Sequence, residues 1–271
     1  MDYAIIPLEN STNGSVIQTL DLLADRQDQY KDVIICDELF LTIHHCLLVG
    51  QSSDPAPPSK ERITKLYTHP QAWGQCDAFL ARYFKGVERQ DVSSTSKAAE
   101  IVSTDHSGTL AAIASKFAAD HYGARVVDTN IENKADNTTR FLIFRNSASS
   151  NTAKIPSRTL IDPSTEMMIS SDSSYSVKKK KTLVSFRVNH SSPGALADTL
   201  LIFKTRGMNL TSISSRPSLA QPWQYIFFVE CEWLPAYQPE EAVSLLIADL
   251  SKVTEFCRYW GSWDDNLDGS L

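Results

Sequence analysis

Apolar runs alternate along the first half of the chain with segments in which apolar residues recur at helical spacing. Residues 3–7 and 33–36 are short apolar runs typical of strands, whereas residues 16–24 follow the helical pattern. The longer run over 39–49 is apolar at both ends and indicates a strand buried on both faces. Strands that alternate with helices predict an α/β fold.

The same alternation continues toward residue 146. We predict strands over 63–67 and 124–127 and helices over 72–83, 96–102 and 111–119. Polar residues collect at several strand ends, which is where α/β proteins commonly bind ligands.

A serine-rich segment separates this half from a second unit. Residues 147–181 contain Pro156 and Pro163 and end in a run of lysines, so we predict a flexible linker with a solvated lysine end. Over residues 182–264 the predicted order is strand, helix, strand, strand, helix, strand. That order is ferredoxin-like βαββαβ. Its first helix is predicted from Ala195 to about Thr205, started at Gly194 and stopped by Gly207. Modules of this kind with a glycine turn after the first strand often bind amino acids, commonly across a dimer interface.

Bulk composition argues against several functional classes. The net charge of −6 implies no large basic face, so nucleic acid is not the expected partner. No apolar run approaches the roughly 20 residues that cross a bilayer, and the N-terminus lacks the features of a signal peptide. Five cysteines without a Cys-x-x-Cys pair favour reduced thiols over disulfides or zinc. We therefore expect a cytoplasmic protein without a metal or membrane partner.

The stretch with the clearest chemical potential runs from Asn137 to Phe141. It ends a polar run and opens an apolar strand, so Thr139 and Arg140 stand at the mouth of a buried element. A hydroxyl there can share or deliver a proton, and a guanidinium can bind a carboxylate through two hydrogen bonds. The alternative is an ordinary loop-to-strand junction with an arginine that reaches solvent.

Three further polar clusters follow strand ends, over residues 9–15, 68–71 and 94–95. Each one alone is also typical of a helix cap. Their occurrence in one α/β chain, together with the stretch at 137–141, favours a ligand site over isolated caps.

Taken together, these motifs resemble the prephenate dehydratase family with its C-terminal ACT regulatory domain. In the first half, the motifs that carry the resemblance are Ile6–Ser11, Ile43–Leu47, His69–Gln71, Ser94-Thr95, Ala111–Ala114 and Asn137–Phe141. In the second half they are Pro193–Leu196 and Ser215–Pro217. Each motif is short, but their order and spacing together are specific.

The resemblance implies a two-lobed catalytic domain of the type II periplasmic-binding-protein kind over residues 1–146, with the active site in the cleft between lobes. The linker over 147–181 and a ferredoxin-like ACT domain over 182–264 would follow. The implied reaction converts prephenate to phenylpyruvate with loss of water and carbon dioxide, in phenylalanine biosynthesis and without a cofactor. L-phenylalanine would be the allosteric inhibitor, and the ACT domain would form a homodimer or homotetramer.

The family's motifs also imply roles for individual residues. Thr139 would protonate or hydrogen-bond the departing ring hydroxyl, and Arg140 would orient the site or hold a carboxylate, with Phe141 completing the motif. The implied substrate-binding residues are Glu9, Asn10, Ser11, His69, Gln71, Ser94, Thr95 and Asn137. The implied effector-binding residues are Gly194, Ala195, Leu196, Asn209, Leu210, Arg216 and Pro217. Because Glu9 would repel a dianionic substrate, we expect it to be hydrogen-bonded into the scaffold or protonated.

Departures from the family pattern leave other functions open. The family has further elements before the Pro-x-Glu-Asn-Ser strand, so we expect the first lobe of this chain to be poorly folded and its turnover weak. A catalytically impaired regulatory protein that binds amino acids is therefore one alternative. Arogenate dehydratase is another, because spacing does not separate the two substrates. Ser214 stands where the regulatory motif usually has glutamate, which leaves the strength of phenylalanine inhibition open.

Overall fold

The computed structural model describes most of the chain, namely residues 2–51, 59–151, 179–233 and 239–267. The chain forms two compact units. The first consists of Met1–Glu9, Ser15–Phe40 and Arg140–Leu271, and the second consists of Asn10–Gly14 and Leu41–Thr139.

The second unit contains a mixed five-stranded sheet. Its strands are β4 (Cys46–Val49), β5 (Lys65–Thr68), β6 (Glu88–Asp91), β7 (Leu110–Ala114) and β8 (Arg125–Asp128), in the order β6-β5-β7-β4-β8. Strand β5 is parallel to β6 and β7, whereas β4 is antiparallel to β7 and β8. The helices of this unit are α2 (Pro70–Gln75), α3 (Asp77–Tyr83), α4 (Thr95–Ser103) and α5 (Lys116–Tyr122).

Strand β4 is buried on both faces, as its sequence predicted. Leu47 and Val49 belong to one apolar cluster, and Cys46 and Leu48 belong to another. This division follows from the two-residue period of a strand, which sends successive side chains to opposite faces of the sheet. Helices on both faces therefore cover the sheet of the second unit.

The first unit holds strands of two sheets. One sheet contains β1 (Tyr3–Asn10), β2 (Gly14–Ser15), β3 (Val33–Thr42) and β9 (Thr138–Asn146) in the order β2-β1-β9-β3, accompanied by α1 (Ile17–Leu23). The other contains β10 (Lys180–Arg187), β11 (Asn209–Pro217), β12 (Tyr225–Trp233) and β13 (Phe256–Asp264), with α6 (Ala195–Thr205) and α7 (Pro239–Val253). This C-terminal sheet is antiparallel in the order β11-β12-β10-β13, and its element order confirms the predicted strand-helix-strand-strand-helix-strand sequence.

The C-terminal sheet is covered on both faces. Val229 and Cys231 of β12 pack with Phe203 of α6 on one face. On the opposite face, Phe228 of the same strand shares a core with Leu142 of β9 and with residues of β3 and α1. The strands from the two ends of the chain therefore bury a common apolar layer within the first unit.

Three sequence-based element boundaries are wrong. The strand predicted over 39–49 is interrupted between Thr42 and Cys46, and the helix over 72–83 breaks at Cys76. At that break Asn133 caps α3, because its Oδ1 accepts from Ala78 N at 3.0 Å. The helix predicted from Ala111 is β7, because pairing with β4 and β5 in a fully buried sheet overrides the helix propensity of alanine.

The lysine run also differs from its prediction. Residues 152–178 of the predicted linker lie outside the described residues, but Lys180 and Lys181 belong to β10. Lys181 is buried and paired with Glu38 at 3.0 Å, so it is not a solvated tether end. Among the described residues, no helix is long and apolar enough to cross a membrane.

Candidate functional site

Asn10 links the end of β1 to the start of β9. Its Oδ1 accepts hydrogen bonds from the backbone N–H groups of Thr12 at 3.0 Å and Asn13 at 2.9 Å. Because a backbone N–H group can only donate, these two bonds fix which atom of the Asn10 side-chain amide is the oxygen. The amide nitrogen then donates to Thr139 Oγ1 at 3.1 Å and to Asn137 Oδ1 at 2.8 Å.

Thr139 is therefore held as a hydrogen-bond acceptor toward Asn10. A threonine hydroxyl carries one hydrogen and two lone pairs, so accepting this bond leaves its own hydrogen available. Among the described residues, no group accepts that hydrogen. The arrangement leaves a half-buried hydroxyl that can donate to a bound molecule.

Asn137 presents a second available donor. Its side chain is 2% exposed, and its oxygen is already bonded to Asn10. Its Nδ2 is buried and has no partner among the described residues. A buried amide without a partner is costly, so the site favours a ligand or water that can accept. Asn137 lines a pocket of about 100 Å³ together with Thr12, Gly74, Gln75, Glu132, Asn133 and Lys134.

A network of two histidines orders one wall of this pocket. The Glu132 carboxylate contacts His44 Nδ1 and accepts from the backbone N–H of His45, each at 2.8 Å. Burial alone would raise the pKa of Glu132, but these hydrogen bonds outweigh it and lower the pKa. The His45 ring in turn binds Gln75 Oε1 at 2.6 Å through Nε2. Sequence reasoning missed Gln75, although it lies four residues after Gln71, on the same helical face.

Ser11 joins the same strand ends through its backbone and side chain. Its N–H donates to Thr138 O at 2.8 Å, and its Oγ accepts from Thr138 N at 2.9 Å. The hydroxyl donates to Asp136 O at 3.3 Å. Its polar groups thus hold the turn against β9, which is a scaffold role beside the predicted binding role.

Four of the predicted substrate-binding residues lie after two neighbouring parallel strands. The His69 ring accepts from Gln71 N at 3.3 Å at the start of α2, and Ser94 Oγ accepts from Lys97 N at 3.0 Å at the start of α4. Thr95 is the first residue of α4. Because β5 and β6 are parallel, their carboxyl ends meet at one edge of the sheet. His69 and Ser94 are helix caps there, and substrate binding by these four residues stays a prediction.

Arg140 follows Thr139 in β9 but has different surroundings. Its side chain is buried and contacts three carboxylates. Nε donates to Glu38 at 2.8 Å, and Nη1 donates to Glu9 at 2.9 Å. The two terminal nitrogens bind both oxygens of Glu230, at 3.2 Å and 2.5 Å. Phe141 follows as a half-buried residue.

This arrangement favours one of the two roles that the sequence left open for Arg140. Burial alone would lower the pKa of the guanidinium, but Glu230 and Glu38 raise it, so the group stays charged. Its donors are directed at protein carboxylates, which fits orientation of the site better than capture of a substrate carboxylate. Glu9 is hydrogen-bonded into the scaffold, as expected.

A larger pocket of about 460 Å³ lies beside the start of α6. Gly194 precedes the helix with φ +83°, a left-handed conformation that glycine adopts readily. The predicted effector residues Gly194, Ala195 and Leu196 line this pocket with Val188, Asn189, His190, Ser192, Ala197, Leu200, Gln224, Tyr225 and Phe227. It combines apolar walls with a few polar groups, which is typical of small-molecule sites.

The remaining predicted effector residues lie on β11 and do not line that pocket. Arg216 pairs with Asp21 of α1 at 2.9 Å, and Pro217 accepts at its carbonyl from Arg26 at 2.9 Å. Asn209 donates to Glu232 at 3.1 Å, and Leu210 is exposed. The structure therefore separates the effector set into two groups. No cluster of His, Cys, Asp or Glu suited to a metal occurs among the residues that the structure describes.

The fold and the two candidate sites define an α/β protein with an amide- and hydroxyl-lined site in one unit and a small-molecule pocket in the other. Residues 1–149 match the family model described as prephenate dehydratase. The chain belongs to the prephenate dehydratase family.

Relatives support this assignment over most of the chain. The bifunctional chorismate mutase/prephenate dehydratase of Stutzerimonas stutzeri is 35% identical over 231 residues, which is 85% of this chain and 53% of the relative. The prephenate dehydratase of Methanocaldococcus jannaschii is 33% identical over 259 residues, 96% of this chain and 80% of the relative. The chain thus spans about half the length of the bifunctional relatives it matches.

A solved structure matches as well. The crystal structure of prephenate dehydratase from Arthrobacter aurescens in complex with L-Phe has a TM-score of 0.74 and 26% sequence identity to this chain. The match covers 97% of this chain and 75% of that chain.

Proposed function

We propose that this chain converts prephenate to phenylpyruvate, with loss of water and carbon dioxide. The observation that carries the proposal is the hydrogen bond from Asn10 Nδ2 to Thr139 Oγ1, which leaves the threonine hydrogen available to a ligand. Family membership supports the same reaction.

The chemistry needs a donor at the ring hydroxyl. As the bond to the ring carboxylate breaks, its electron pair enters the ring, the ring becomes aromatic, and the C–O bond to the hydroxyl breaks. Hydroxide leaves poorly unless a donor hydrogen-bonds or protonates it. We assign that donor role to Thr139. Threonine is a very weak acid, so hydrogen bonding to the developing charge contributes more than formal proton transfer.

Amides complete the proposed site. Asn137 Nδ2 is a buried donor without a protein partner among the described residues, and we assign it to a substrate oxygen. Asn10 orients Thr139, and Arg140 orients the strand that carries it. We keep Ser11, His69, Gln71, Ser94 and Thr95 as proposed contributors at the surrounding strand ends.

We propose residues 1–146 as a two-lobed catalytic domain of the type II periplasmic-binding-protein kind and residues 182–264 as an ACT domain, joined by a linker over 147–181. The family match over residues 1–149 supports the first boundary. The element order from β10 to β13 supports an ACT domain, which has the ferredoxin-like arrangement.

We propose L-phenylalanine as the effector of the pocket beside Gly194. The relative from Arthrobacter aurescens, crystallised in complex with L-Phe, supports this ligand. The predicted effector residues on β11 lie outside the pocket, and we propose that they act across a dimer interface, in a homodimer or homotetramer.

The reaction is tested by following phenylpyruvate absorbance after addition of prephenate. Thr139→Val should lower kcat by about 10²- to 10³-fold, the typical loss for one oxyanion donor. Thr138→Val is the matched control, because among the described residues the Thr138 hydroxyl has one hydrogen bond, which it donates to Asp136 O at 3.2 Å. It should keep kcat within about threefold of the unchanged protein.

The outcomes separate the candidate functions. Equal rates for the Thr139→Val and Thr138→Val proteins would refute the role of Thr139. Turnover of arogenate but not prephenate would identify an arogenate dehydratase. Binding of L-phenylalanine without any turnover would support a regulatory protein that has lost catalysis.

A further inference from the structure

Strand β12 connects two parts of the first unit because its side chains alternate between faces. Tyr225 and Phe227 line the 460 Å³ pocket beside Gly194. Glu230, on the opposite face of the strand, binds Arg140. A displacement of this one strand therefore acts on both the pocket and the guanidinium.

The contact between Glu230 and Arg140 is strongly directional. Glu230 is 3% exposed, and its two carboxylate oxygens bind the two terminal nitrogens of the guanidinium. A two-point pair of this kind fixes orientation as well as distance. Thr211 on β11 also holds the carboxylate, because its hydroxyl donates to Glu230 Oε1 at 2.8 Å.

Arg140 has two discrete sets of partners. Glu230 belongs to the C-terminal sheet, whereas Glu9 and Glu38 belong to β1 and β3, in the same sheet as β9. If Glu230 moves away, the guanidinium keeps Glu38 at Nε and Nη2 and Glu9 at Nη1, but it loses its restraint from the C-terminal sheet. Arg140 is therefore a contact through which a displacement of β12 can reach β9.

We propose that Glu230 is a positioning residue for the start of β9, and that through Arg140 it transmits occupancy of the pocket beside Gly194 to Thr139. The effect on turnover rests on the proposed function, because it assumes that Thr139 acts on substrate. Arg140 is bonded to Thr139 through one peptide link, so its orientation restrains the backbone that carries the hydroxyl. Misplacement of a reacting group by about 1 Å lowers a rate by about 10²-fold.

The central experiment compares Glu230→Gln with Glu232→Gln. Glutamine keeps the size of Glu230 but loses its charge and one acceptor oxygen. Glu232 is the matched control, two residues along the same strand, where its carboxylate pairs with Lys179 at 3.3 Å at the surface. Glu230→Gln should lower kcat about tenfold with KM within about twofold. Glu232→Gln should leave both constants within about twofold of the unchanged protein.

The effector response gives a second readout. Allosteric couplings are commonly about 5- to 150-fold. In Glu230→Gln the inhibition of turnover by L-phenylalanine should weaken by at least about fivefold relative to the unchanged protein. Glu230→Asp keeps the charge and should recover part of both losses, a result that simple loss of packing would not give.

Amide hydrogen exchange tests the positioning role without any turnover. In protein without ligand, the amides of residues 138–141 should exchange faster in Glu230→Gln than in Glu232→Gln. Faster exchange in a protein that shows no turnover would support the positioning role and refute only the proposed reaction. Unchanged exchange, kcat and effector response in Glu230→Gln would overturn the inference.

A milder variant covers the case in which Glu230→Gln does not fold. Thr211→Val removes the hydroxyl that holds Glu230 and leaves every charge in place, and Thr211 is exposed. It should shift kcat, effector response and exchange at residues 138–141 in the same direction and by less. Behaviour identical to the unchanged protein would overturn the inference.

Discussion

Replacing Arg140 by methionine should destabilise the first unit by about 3–5 kcal/mol, the usual range when one partner of a buried ion pair is removed. Arg140 is 6% exposed, and the residues whose carboxylates would lose it, Glu38 and Glu230, are 1% and 3% exposed. Lys181, 3.0 Å from Glu38, still compensates that charge. Glu230 is left with the hydroxyl of Thr211 as its remaining polar partner among the described residues.

The effect of Glu230→Gln on the free energy of unfolding should change sign when Arg140 is absent. In the unchanged protein, Glu230→Gln weakens a charged hydrogen-bonded pair and should cost about 1.5–3 kcal/mol. In the Arg140→Met background it removes a buried carboxylate that has no cation partner, so it should be neutral or stabilising. The coupling energy between the two substitutions should then be about 2–3 kcal/mol, at the upper end for residues in contact.

Urea unfolding followed by tryptophan fluorescence measures these free energies. Trp260 and Trp263 are buried in the core of the first unit, so their emission reports its unfolding. Glu232→Gln in both backgrounds is the control and should change stability by less than about 1 kcal/mol, as exposed pairs do. If Glu230→Gln destabilises both backgrounds equally, the buried charge cluster does not exist in solution as described.

Three further predictions concern packing and ionisation. Gly261→Ala should lower the free energy of unfolding of the first unit by about 1–3 kcal/mol, measured by urea unfolding, because a Cβ there would overlap the backbone of Ile35. Burial raises the pKa of Cys76 to about 12, against 9.0 for an ordinary cysteine, so at pH 8 the fraction of thiolate is about a thousandfold lower. The reaction of Cys76 with iodoacetamide, followed by mass spectrometry, should be slower by the same factor. The pKa of Glu132 is lowered from 4.5, so its contribution to stability is present above that value and is lost as pH falls through the folded-state pKa. Urea midpoints between pH 3 and 7 should therefore fall less steeply with acid in Glu132→Gln than in the unchanged protein.

The C-terminal elements could be predicted from sequence because their signals are local. The helix over 195–205 was predicted with the bounds that the structure has, since Gly194 and Gly207 mark its two ends. The strand predicted over 39–49 was harder, because its interruption is set by distant contacts. His45, between β3 and β4, is held by Glu132 and Gln75, and neither is close to it in sequence.

The candidate site was predictable only in part for the same reason. The Asn137–Phe141 motif drew attention to Thr139 and Arg140, but the partners of Arg140 lie 102 and 90 residues away, at Glu38 and Glu230. Neither glutamate stands out in its strand, since each has a second acidic residue close by, Asp37 or Glu232, and such a pattern is also typical of a surface edge. Only the packing of β9 against β12 shows that both carboxylates are buried.

Strand geometry explains why the adjacent residues Thr139 and Arg140 differ in role. Side chains alternate along a strand, and Leu142 and Phe144 point into the core shared with the C-terminal sheet. Arg140 has the same parity as those two residues and is buried with them, whereas Thr139 has the opposite parity and binds Asn10. The guanidinium is thus a structural ligand for carboxylates, and the hydroxyl is the member of the pair left free to donate. A chain that kept Thr139 but lost the acidic partners of Arg140 would retain the proposed donor and lose the contacts that orient its strand.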